Sequence, residues 1–249
     1  MTTGTTSDDD GPARARHAAM RWNTPLAETH AELLLTRLEI PPHGSVLDLG
    51  CGWGELLLRA LETPRGGAAQ GTGVDTHLPD LERGRRSAAE RGLEEQVRFV
   101  EASAVGWHEP ADRVICVGAS HAWGGTEAGL AALTDMVRPG GRLLFGDGFW
   151  QREPSSAAVA IFGDEVVSLA DLVRLAHATG WDVLHLSEAD QLEWDDFEST
   201  WRLGRHRWLA ENPGSERARE LRDELRDGVL EYLEVYRGVL GYCYLVLTR

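Results

Sequence analysis

The chain has 249 residues, of which 42% are hydrophobic and 26% charged, a composition that can bury a sizeable core. Its formal net charge is −15, and a field of that sign disfavours nucleic acid and anionic membrane surfaces as partners. All 25 of its Lys and Arg positions are arginine, which excludes Schiff-base and pyridoxal phosphate chemistry, because both need a lysine amine.

Cysteine usage and the first residues predict a compartment. Cys51, Cys116 and Cys243 lie far apart and form no CxxC pair, so we expect a reducing environment without disulfides. The chain contains no apolar run of about 18 residues and opens on no signal peptide, which predicts a cytoplasmic protein. Residues 1–16 are polar and predict a disordered tail, and residues 17–249 predict a single domain.

Helical and strand periods alternate from residue 25 onwards. Helices are predicted at 25–38, 55–62, 80–92, 127–137 and 168–180. Strands are predicted at 45–50, 71–75, 97–102, 113–119, 142–149, 181–189 and 242–248. The PGG sequence at 139–141 is expected to end the helix before the fifth strand.

Largely apolar strands separated by helices predict an α/β fold with a doubly wound, mostly parallel sheet. In such a sheet the ligand site lies at the carboxyl ends of the strands. Residues 188–240 interrupt the alternation with a mostly helical, polar and Trp-bearing stretch before the last strand. We expect this insertion to be either a lid over the site or an interaction surface.

Three glycines at alternate positions follow the first predicted strand, in VLDLGCGWGE at 46–55. A strand that ends in a glycine turn makes room for a ligand against its backbone. A phosphate-binding loop needs a lysine and is excluded. A dinucleotide loop wants glycine where Glu55 stands, and this carboxylate would face the pyrophosphate, so NAD is disfavoured but remains an alternative.

S-adenosylmethionine suits the same loop because it carries no phosphate. Asp48, just before the glycines, suits its ammonium group. Asp75 ends the next strand and suits the ribose hydroxyls, since neighbouring parallel strands end at the same edge of a sheet. The glycines let the backbone pass close to the amino-acid part of the ligand.

At this point the sequence resembles a known family. Asp48, Gly50, Gly52, Gly54 and Asp75, followed by RPGGRLLFGD, are similar in order and spacing to class I S-adenosylmethionine-dependent methyltransferases. WNTPLAETH, CVGASHAWGG, GDGFWQREP and YRGVLGYCYLVL resemble, more narrowly, a bacterial branch of small methyltransferases. The resemblance covers about residues 20–249. It implies a Rossmann-like sheet of seven strands whose last strand is antiparallel.

The resemblance also implies S-adenosylmethionine as cofactor and S-adenosylhomocysteine as product. Ser103 stands where the family commonly carries an acid that meets the adenine amino group, which weakens the adenine assignment. The candidate cofactor-binding residues are Asp48, Gly50, Cys51, Gly52, Trp53, Asp75, Thr76, Ser103, Ala104 and Gly118.

Two residues at the ends of the fourth and fifth strands are candidates for catalysis. Methyl transfer from a sulfonium requires an aligned nucleophile and, for many nucleophiles, removal of a proton. His121, just past the fourth strand, is the candidate general base, with a loop-ordering or cofactor contact as the alternative. Asp147, at the end of the fifth strand, is a candidate for orienting substrate, with capping of the following loop as the alternative.

Aromatic residues near the predicted strand ends and in the insertion are candidates for holding substrate. Aromatic walls with carboxylates suit a cationic or flat aromatic ligand. Trp194, Trp201 and Trp208 also repeat every seven residues, as a helix stripe packing on the domain would, and His30 also suits a packing role. The candidate substrate residues are Trp22, His30, Trp123, Trp150, Trp194 and Tyr236.

These observations predict an enzyme that moves a methyl group from S-adenosylmethionine to a small molecule. A protein methyltransferase, a non-catalytic S-adenosylmethionine binder and an NAD-type oxidoreductase remain alternatives, whereas RNA methylation conflicts with the charge. The scattered histidines indicate no metal site. We expect a monomer or a homodimer.

Overall fold

The computed structural model describes residues 11, 15, 17–63 and 68–249. Most of the predicted disordered tail therefore lies outside the described residues. The strands are β1 (Ser45–Leu49), β2 (Gln70–Asp75), β3 (Val97–Glu101), β4 (Ala111–Val117), β5 (Val137–Trp150), β6 (Asp182–Glu188) and β7 (Leu240–Thr248). The helices include α1 (Glu28–Leu38), α2 (Glu55–Glu62), α3 (Leu78–Glu90), α4 (Thr126–Leu133), α5 (Ser156–Phe162), α6 (Leu169–Ala178), α7 (Gln191–Glu211) and α8 (Arg217–Glu231). Two shorter elements are a 3₁₀ turn (Ser120–Trp123) and a π-turn (Tyr232–Tyr236).

The strands form one seven-stranded sheet in the order β3-β2-β1-β4-β5-β7-β6. Neighbours from β3 to β5 pair in parallel, and β7 pairs antiparallel with both β5 and β6. The predicted doubly wound, mostly parallel sheet with an antiparallel last strand is confirmed. The carboxyl ends of β1, β2 and β4 therefore meet at one edge, where a ligand site is expected.

Successive residues of a strand point to opposite faces of the sheet. Helices pack on both faces, so apolar side chains are buried on each. On one face Leu34 of α1 and Leu57 of α2 are fully buried among the apolar residues of the sheet. On the other face Leu130 of α4 and Leu172 of α6 are fully buried with Trp181, whose indole Nε1 donates to the Leu130 carbonyl at 3.0 Å. This two-sided packing holds the strand ends in place.

Some predicted boundaries are wrong around the fifth strand. The helix predicted for 127–137 ends at Leu133, and β5 begins at Val137, so the PGG sequence lies within the strand. The register between β4 and β5 shifts between Ala111 and Arg113, which accommodates the extra residues. The 3₁₀ turn after β4 and the short helix α5 were not predicted.

The segment between β6 and β7 contains α7, α8 and the π-turn. Asp190 and Glu193 form a reciprocal capping box at the start of α7. The Glu193 carboxylate also accepts from the Ala27 amide at 2.7 Å, which ties the start of α7 to the start of α1. Within the described ranges, no helix is both long and apolar enough to cross a membrane.

Candidate active site

The loop after β1 turns by means of three glycines in the left-handed region. Gly50, Gly52 and Gly54 have φ values of 73°, 54° and 69°. A Cβ atom on Gly50 would lie 2.4 Å from the Ala119 Cβ atom, so this glycine is required by close packing. A Cβ atom on Gly52 would meet nothing within 4 Å, because Gly52 borders a cavity.

Two acids lie beside this loop, and among the described residues only one of them has hydrogen-bond partners. The Asp75 carboxylate accepts from the Gly52 amide and from the His77 amide, each at 2.8 Å. Asp48 is only 4% exposed, and within the described part of the chain no hydrogen bond or ion pair reaches its carboxylate. Burial, and then the nearby charge of Asp75, raise the pKa of Asp48 to about 8. A buried carboxylate of this kind is suited to a cationic ligand group.

A cavity of about 410 Å³ lies against the glycine loop, and we call it the glycine-loop cavity. All ten candidate cofactor residues line it: Asp48, Gly50, Cys51, Gly52, Trp53, Asp75, Thr76, Ser103, Ala104 and Gly118. Trp22 and His121 line it too. The Ser103 hydroxyl accepts from the Val105 amide at 3.1 Å, so a local turn holds this side chain at the cavity.

Glu55 lies at the start of α2, where the dinucleotide hypothesis would need a pyrophosphate. Its carboxylate accepts from the Arg59 guanidinium at 2.7 Å and from Arg91. The side chain is 10% exposed and borders the glycine-loop cavity. The helix start thus already carries a carboxylate paired with two arginines, which disfavours a phosphate group there.

A second cavity, of about 460 Å³, adjoins the first, and we call it the aromatic cavity. Five rings line it, those of Phe162, Trp194, Phe197, Tyr236 and Tyr242. Four residues line both cavities: Asn23, Thr24, Gly118 and His121. His121 is exposed and lies on the 3₁₀ turn after β4. The two cavities therefore meet at the carboxyl end of β4.

The π-turn supplies the Tyr236 ring to the aromatic cavity. The ring meets the Phe162 ring edge-on at a centroid distance of 5.0 Å and the Trp194 ring at 6.5 Å. Its hydroxyl donates to the Glu198 carboxylate at 2.8 Å, and burial raises the pKa of Tyr236 well above its usual value. A π-turn inserts an extra residue in a helical turn and is frequent at functional sites.

Two polar groups at the sheet edge of the aromatic cavity contrast with each other. The Asp147 carboxylate accepts from the hydroxyls of Ser120 and Thr126, each at 2.7 Å, and from the Gly148 amide at 2.8 Å. Tyr242, from β7, is 9% exposed, and its buried hydroxyl has no hydrogen-bond partner among the described residues. Burial raises the pKa of Tyr242 well above its usual value, so the phenol stays protonated.

Three of the predicted substrate residues do not line either cavity. The imidazole of His30 is bonded to Glu193 at 2.9 Å and to the Ser187 hydroxyl at 2.7 Å, which makes it a packing residue between α1 and α7. Trp123 packs on the core face that carries α4. The Trp150 ring meets the Phe162 ring edge-on at a centroid distance of 6.2 Å. The other three, Trp22, Trp194 and Tyr236, do line a cavity.

Several lining residues were missed from the sequence. Tyr242 and Tyr244 alternate along β7, and the phenol of Tyr244 donates to the Pro25 carbonyl at 2.8 Å. The alternation places both tyrosines on the same face of β7, and this was the available signal that Tyr242 could share a polar environment with Tyr244. Phe162 and Phe197 carried no local signal. In the part of the chain that the structure describes, no group of three His, Cys, Asp or Glu could hold a metal ion.

A model of the methyltransferase domain matches residues 46–141, which span the glycine loop, Asp75 and β4. The chain is 31% identical over 229 residues to the uncharacterized protein YjhP of Escherichia coli K12, covering 89% of this chain and 91% of YjhP.

Two solved structures have similar sequences and the same fold. The S-adenosylmethionine-dependent methyltransferase from Geobacter sulfurreducens, in complex with S-adenosylhomocysteine, is 28% identical with a TM-score of 0.87, over 95% of this chain and 97% of that one. The corresponding enzyme from Thiobacillus denitrificans, also in complex with S-adenosylhomocysteine, is 29% identical with a TM-score of 0.85, over 100% and 99% of the chains.

Proposed function

Because the chain belongs to the S-adenosylmethionine-dependent methyltransferases, we propose that it transfers the methyl group to a small molecule held in the aromatic cavity. The observation that carries this proposal is that the two cavities meet at Gly118 and His121. A donor in one cavity and an acceptor in the other would react across that junction.

The side chains of the glycine-loop cavity fit S-adenosylmethionine in their chemistry. Asp48 is a buried, unpaired carboxylate, and it would hold the ammonium group. Asp75 uses two of its roughly four acceptor positions on backbone amides, which leaves lone pairs for the ribose hydroxyls. The open space at Gly52 would admit the amino-acid part. When bound, the cofactor supplies a methyl group on a positively charged sulfur.

Proton removal is assigned to His121. Its ring borders both cavities and is exposed, so a proton taken from an acceptor can pass on to water. Imidazole is suited to this role because its ordinary pKa lies near neutrality. Asp147 is assigned to orientation, because its oxygens already accept three hydrogen bonds that hold Ser120 and Thr126 beside the junction.

The dimensions of the aromatic cavity favour a small acceptor over a protein. Its volume of about 460 Å³ lies in the range of about 300–1,000 Å³ that is typical of small-molecule sites. Its walls come from α5, α7 and the π-turn, which together cover the sheet edge. A small acceptor can fill this space among the rings, whereas a protein would have to insert a side chain between them.

The experiment is the transfer of a labelled methyl group into a cell extract. Purified protein receives methyl-labelled S-adenosylmethionine and an extract divided into small-molecule, protein and nucleic-acid fractions. We expect the label in the small-molecule fraction only. The control is Asp48→Ala, which removes the proposed ammonium partner and is expected to abolish transfer. Label in the protein or nucleic-acid fraction would overturn the small-molecule proposal.

A further inference from the structure

We propose that the acceptor is an organic amine, bound in the aromatic cavity as its ammonium form. This inference rests on the proposed function and narrows it to one class of substrate. It is carried by three features of the cavity walls: the rings, the sign of the charges, and the unpaired phenol of Tyr242.

The rings of the aromatic cavity form an edge-to-face array. Tyr236 meets Phe162 at an interplanar angle of 76° and Trp194 at 67°, and Trp194 meets Phe197 at 87°. In each of these pairs one ring presents its face to the edge of the other. Aromatic faces are electron-rich and attract a cation, whereas they offer little to an anion.

The charged residues of the cavity wall are all acidic. Asp147, Glu165 and Glu198 line the cavity, and no arginine is among its lining residues within the described ranges. Glu198 is paired with Arg202 at 2.8 Å in α7, so this pair is neutral overall. Among the described residues Asp147 is bonded only to neutral hydroxyl and amide groups, and no arginine forms an ion pair with it. The wall therefore favours a positive ligand.

The Tyr242 hydroxyl gives an observation independent of the charges. It is buried at the cavity edge without a partner, and a polar group in that condition costs free energy until a ligand satisfies it. Since the phenol remains protonated, its oxygen can accept a hydrogen bond from an N–H group. An ammonium group carries donors and no acceptor, and thus complements both this oxygen and Asp147.

Methylation of such an amine requires a proton transfer and then a methyl transfer. The ammonium nitrogen gives one proton to the imidazole of His121, which frees the electron pair on nitrogen. The nitrogen then forms a bond to the methyl carbon, while the pair of the breaking sulfur–carbon bond stays on sulfur. The products are the methylated ammonium ion and neutral S-adenosylhomocysteine, and His121 returns its proton to water. Asp147 and the rings stabilise the positive charge before and after transfer.

The test is a binding comparison between choline and its uncharged carbon isostere, in which a tert-butyl group replaces trimethylammonium. Both are titrated by calorimetry into the full chain saturated with S-adenosylhomocysteine. The anionic probe is 3,3-dimethylbutanoate, in which a carboxylate is attached to the same tert-butyl-bearing carbon chain. Choline cannot be methylated on nitrogen and carries no N–H group, so it reports the rings and the charges alone. N,N-Dimethylethanolamine, which is protonated at neutral pH and has one N–H donor, is titrated in the same way and is expected to bind more tightly than choline because that N–H can reach the Tyr242 oxygen. We expect choline to bind about tenfold more tightly than the isostere, and the anion to bind least.

Two variants assign that preference to the cavity. Trp194→Leu is expected to lower choline affinity to that of the isostere, while Trp201→Leu, one heptad along α7 and outside the cavity lining, leaves it unchanged. Retained S-adenosylhomocysteine affinity verifies the fold of each variant. If Trp194→Leu does not fold, Glu165→Gln is expected to weaken choline binding about two- to threefold.

The amine proposal is overturned if the isostere or the anion binds as tightly as choline, if neither choline nor N,N-dimethylethanolamine binds, or if Trp201→Leu acts like Trp194→Leu. Failure of the amine proposal can be distinguished from failure of the proposed function by where the labelled methyl group is found. Label found in neutral or anionic small molecules would leave the small-molecule function intact and remove the amine alone.

Discussion

The glycine-loop cavity and the aromatic cavity adjoin each other but are built differently. The first is lined mainly by the short loops after β1 to β4, and its key hydrogen bond joins Asp75 to Gly52. The second is assembled from segments as distant as Thr24, Phe162, Trp194 and Tyr242. The cofactor side therefore depends on a local motif, and the acceptor side depends on how separate helices pack. Under the proposed function, changes in α5 and α7 are expected to alter the acceptor without altering the cofactor.

The same contrast holds for two acids, Asp48 near the end of β1 and Asp147 near the end of β5. Asp48 is buried without a partner and its pKa is raised to about 8. Asp147 has three hydrogen bonds from protein donors. The first carboxylate is a vacant partner for a ligand cation, whereas the second is held rigidly by its surroundings. If the two cavities are energetically separate, a substitution in one of them should leave the properties of the other unchanged.

The largest effect is expected from Glu198→Ala on the acceptor side. Glu198 is 7% exposed and pairs with Arg202, which is 8% exposed, so its removal leaves a buried charge and an unpaired Tyr236 hydroxyl. We expect the free energy of unfolding to fall by about 3 kcal/mol in urea denaturation. Asp223→Ala breaks an exposed pair with Arg226 in α8 and is the matched control, with little change.

If the two cavities are energetically separate, Glu198→Ala should lower stability without lowering affinity for the cofactor product. S-adenosylhomocysteine affinity should remain within about twofold of the wild type, a difference near the limit of calorimetric error. A loss of affinity as large as the loss of stability would mean that the cavities are not separate.

The next effect is expected from Asp75→Ala on the cofactor side. The substitution removes the proposed ribose contact and the acceptor for the Gly52 and His77 amides. We expect S-adenosylhomocysteine binding to weaken by about 1.5 to 3 kcal/mol, the usual range for hydrogen bonds to a charged group. Glu101→Ala, at the end of β3 and outside the cavity lining, serves as the control in the same titration. An unchanged dissociation constant for Asp75→Ala would contradict the ribose assignment.

A matched glycine pair separates backbone strain from ligand contact. Gly52 and Gly92 have φ values of 54° and 67°, and a Cβ atom on either would meet nothing within 4 Å. Each change to alanine should cost about 1 to 2 kcal/mol of stability because of the left-handed backbone. Only Gly52→Ala should also weaken S-adenosylhomocysteine binding, by about tenfold, since only Gly52 borders the cavity. Equal affinity in the two variants would show that the ligand does not approach Gly52.

The smallest effect concerns protons at Asp48. With its pKa at about 8, the carboxyl is protonated in the ligand-free protein at about pH 6.5 and must ionise to pair with an ammonium group. Binding of S-adenosylhomocysteine should therefore release about one proton, measured by calorimetry in buffers of different ionisation enthalpy. Asp48→Asn should bind more weakly and release none. Equal proton release in the two proteins would contradict the assignment.

The same pKa shift has a consequence for stability without ligand. The folded-state pKa of Asp48 is raised above its ordinary value of 3.8. The stability linked to this group is therefore fully present below about pH 4 and is lost as pH rises towards 8. Thermal unfolding should show Asp48→Asn gaining on the wild type across this interval. A constant difference between the two proteins would mean that Asp48 is not perturbed.

The cofactor side was predictable from sequence because its residues adjoin strand ends whose direction the βαβ pattern determines. Asp48, Asp75 and the glycines lie there as predicted. Trp150 is also at a strand end, but it meets Phe162 edge-on and lines neither cavity. Phe162 belongs to α5, a helix that was not predicted. Trp123 ends the unpredicted 3₁₀ turn, is partly buried against the core face that carries α4, and lines neither cavity.

The acceptor side was only partly predictable because its contacts cross large distances in the chain. Trp194 and Tyr236 were identified as aromatic residues of the insertion, but their meeting depends on the π-turn, which no local pattern indicates. His30 was expected near substrate, and its two bonds to Glu193 and Ser187 arise from packing between distant elements. Propensity and periodicity do not report such contacts.

The most direct test of the central claim, that the two cavities are the donor and acceptor halves of one site, is an NMR measurement. The protein is saturated with S-adenosylmethionine carrying a carbon-13 methyl group, and nuclear Overhauser effects from that methyl group to ring protons are recorded. The account predicts contacts to the imidazole of His121 at the junction, which disappear in His121→Ala. Contacts only to Trp53 or His77, on the cofactor side and away from the aromatic cavity, would contradict it.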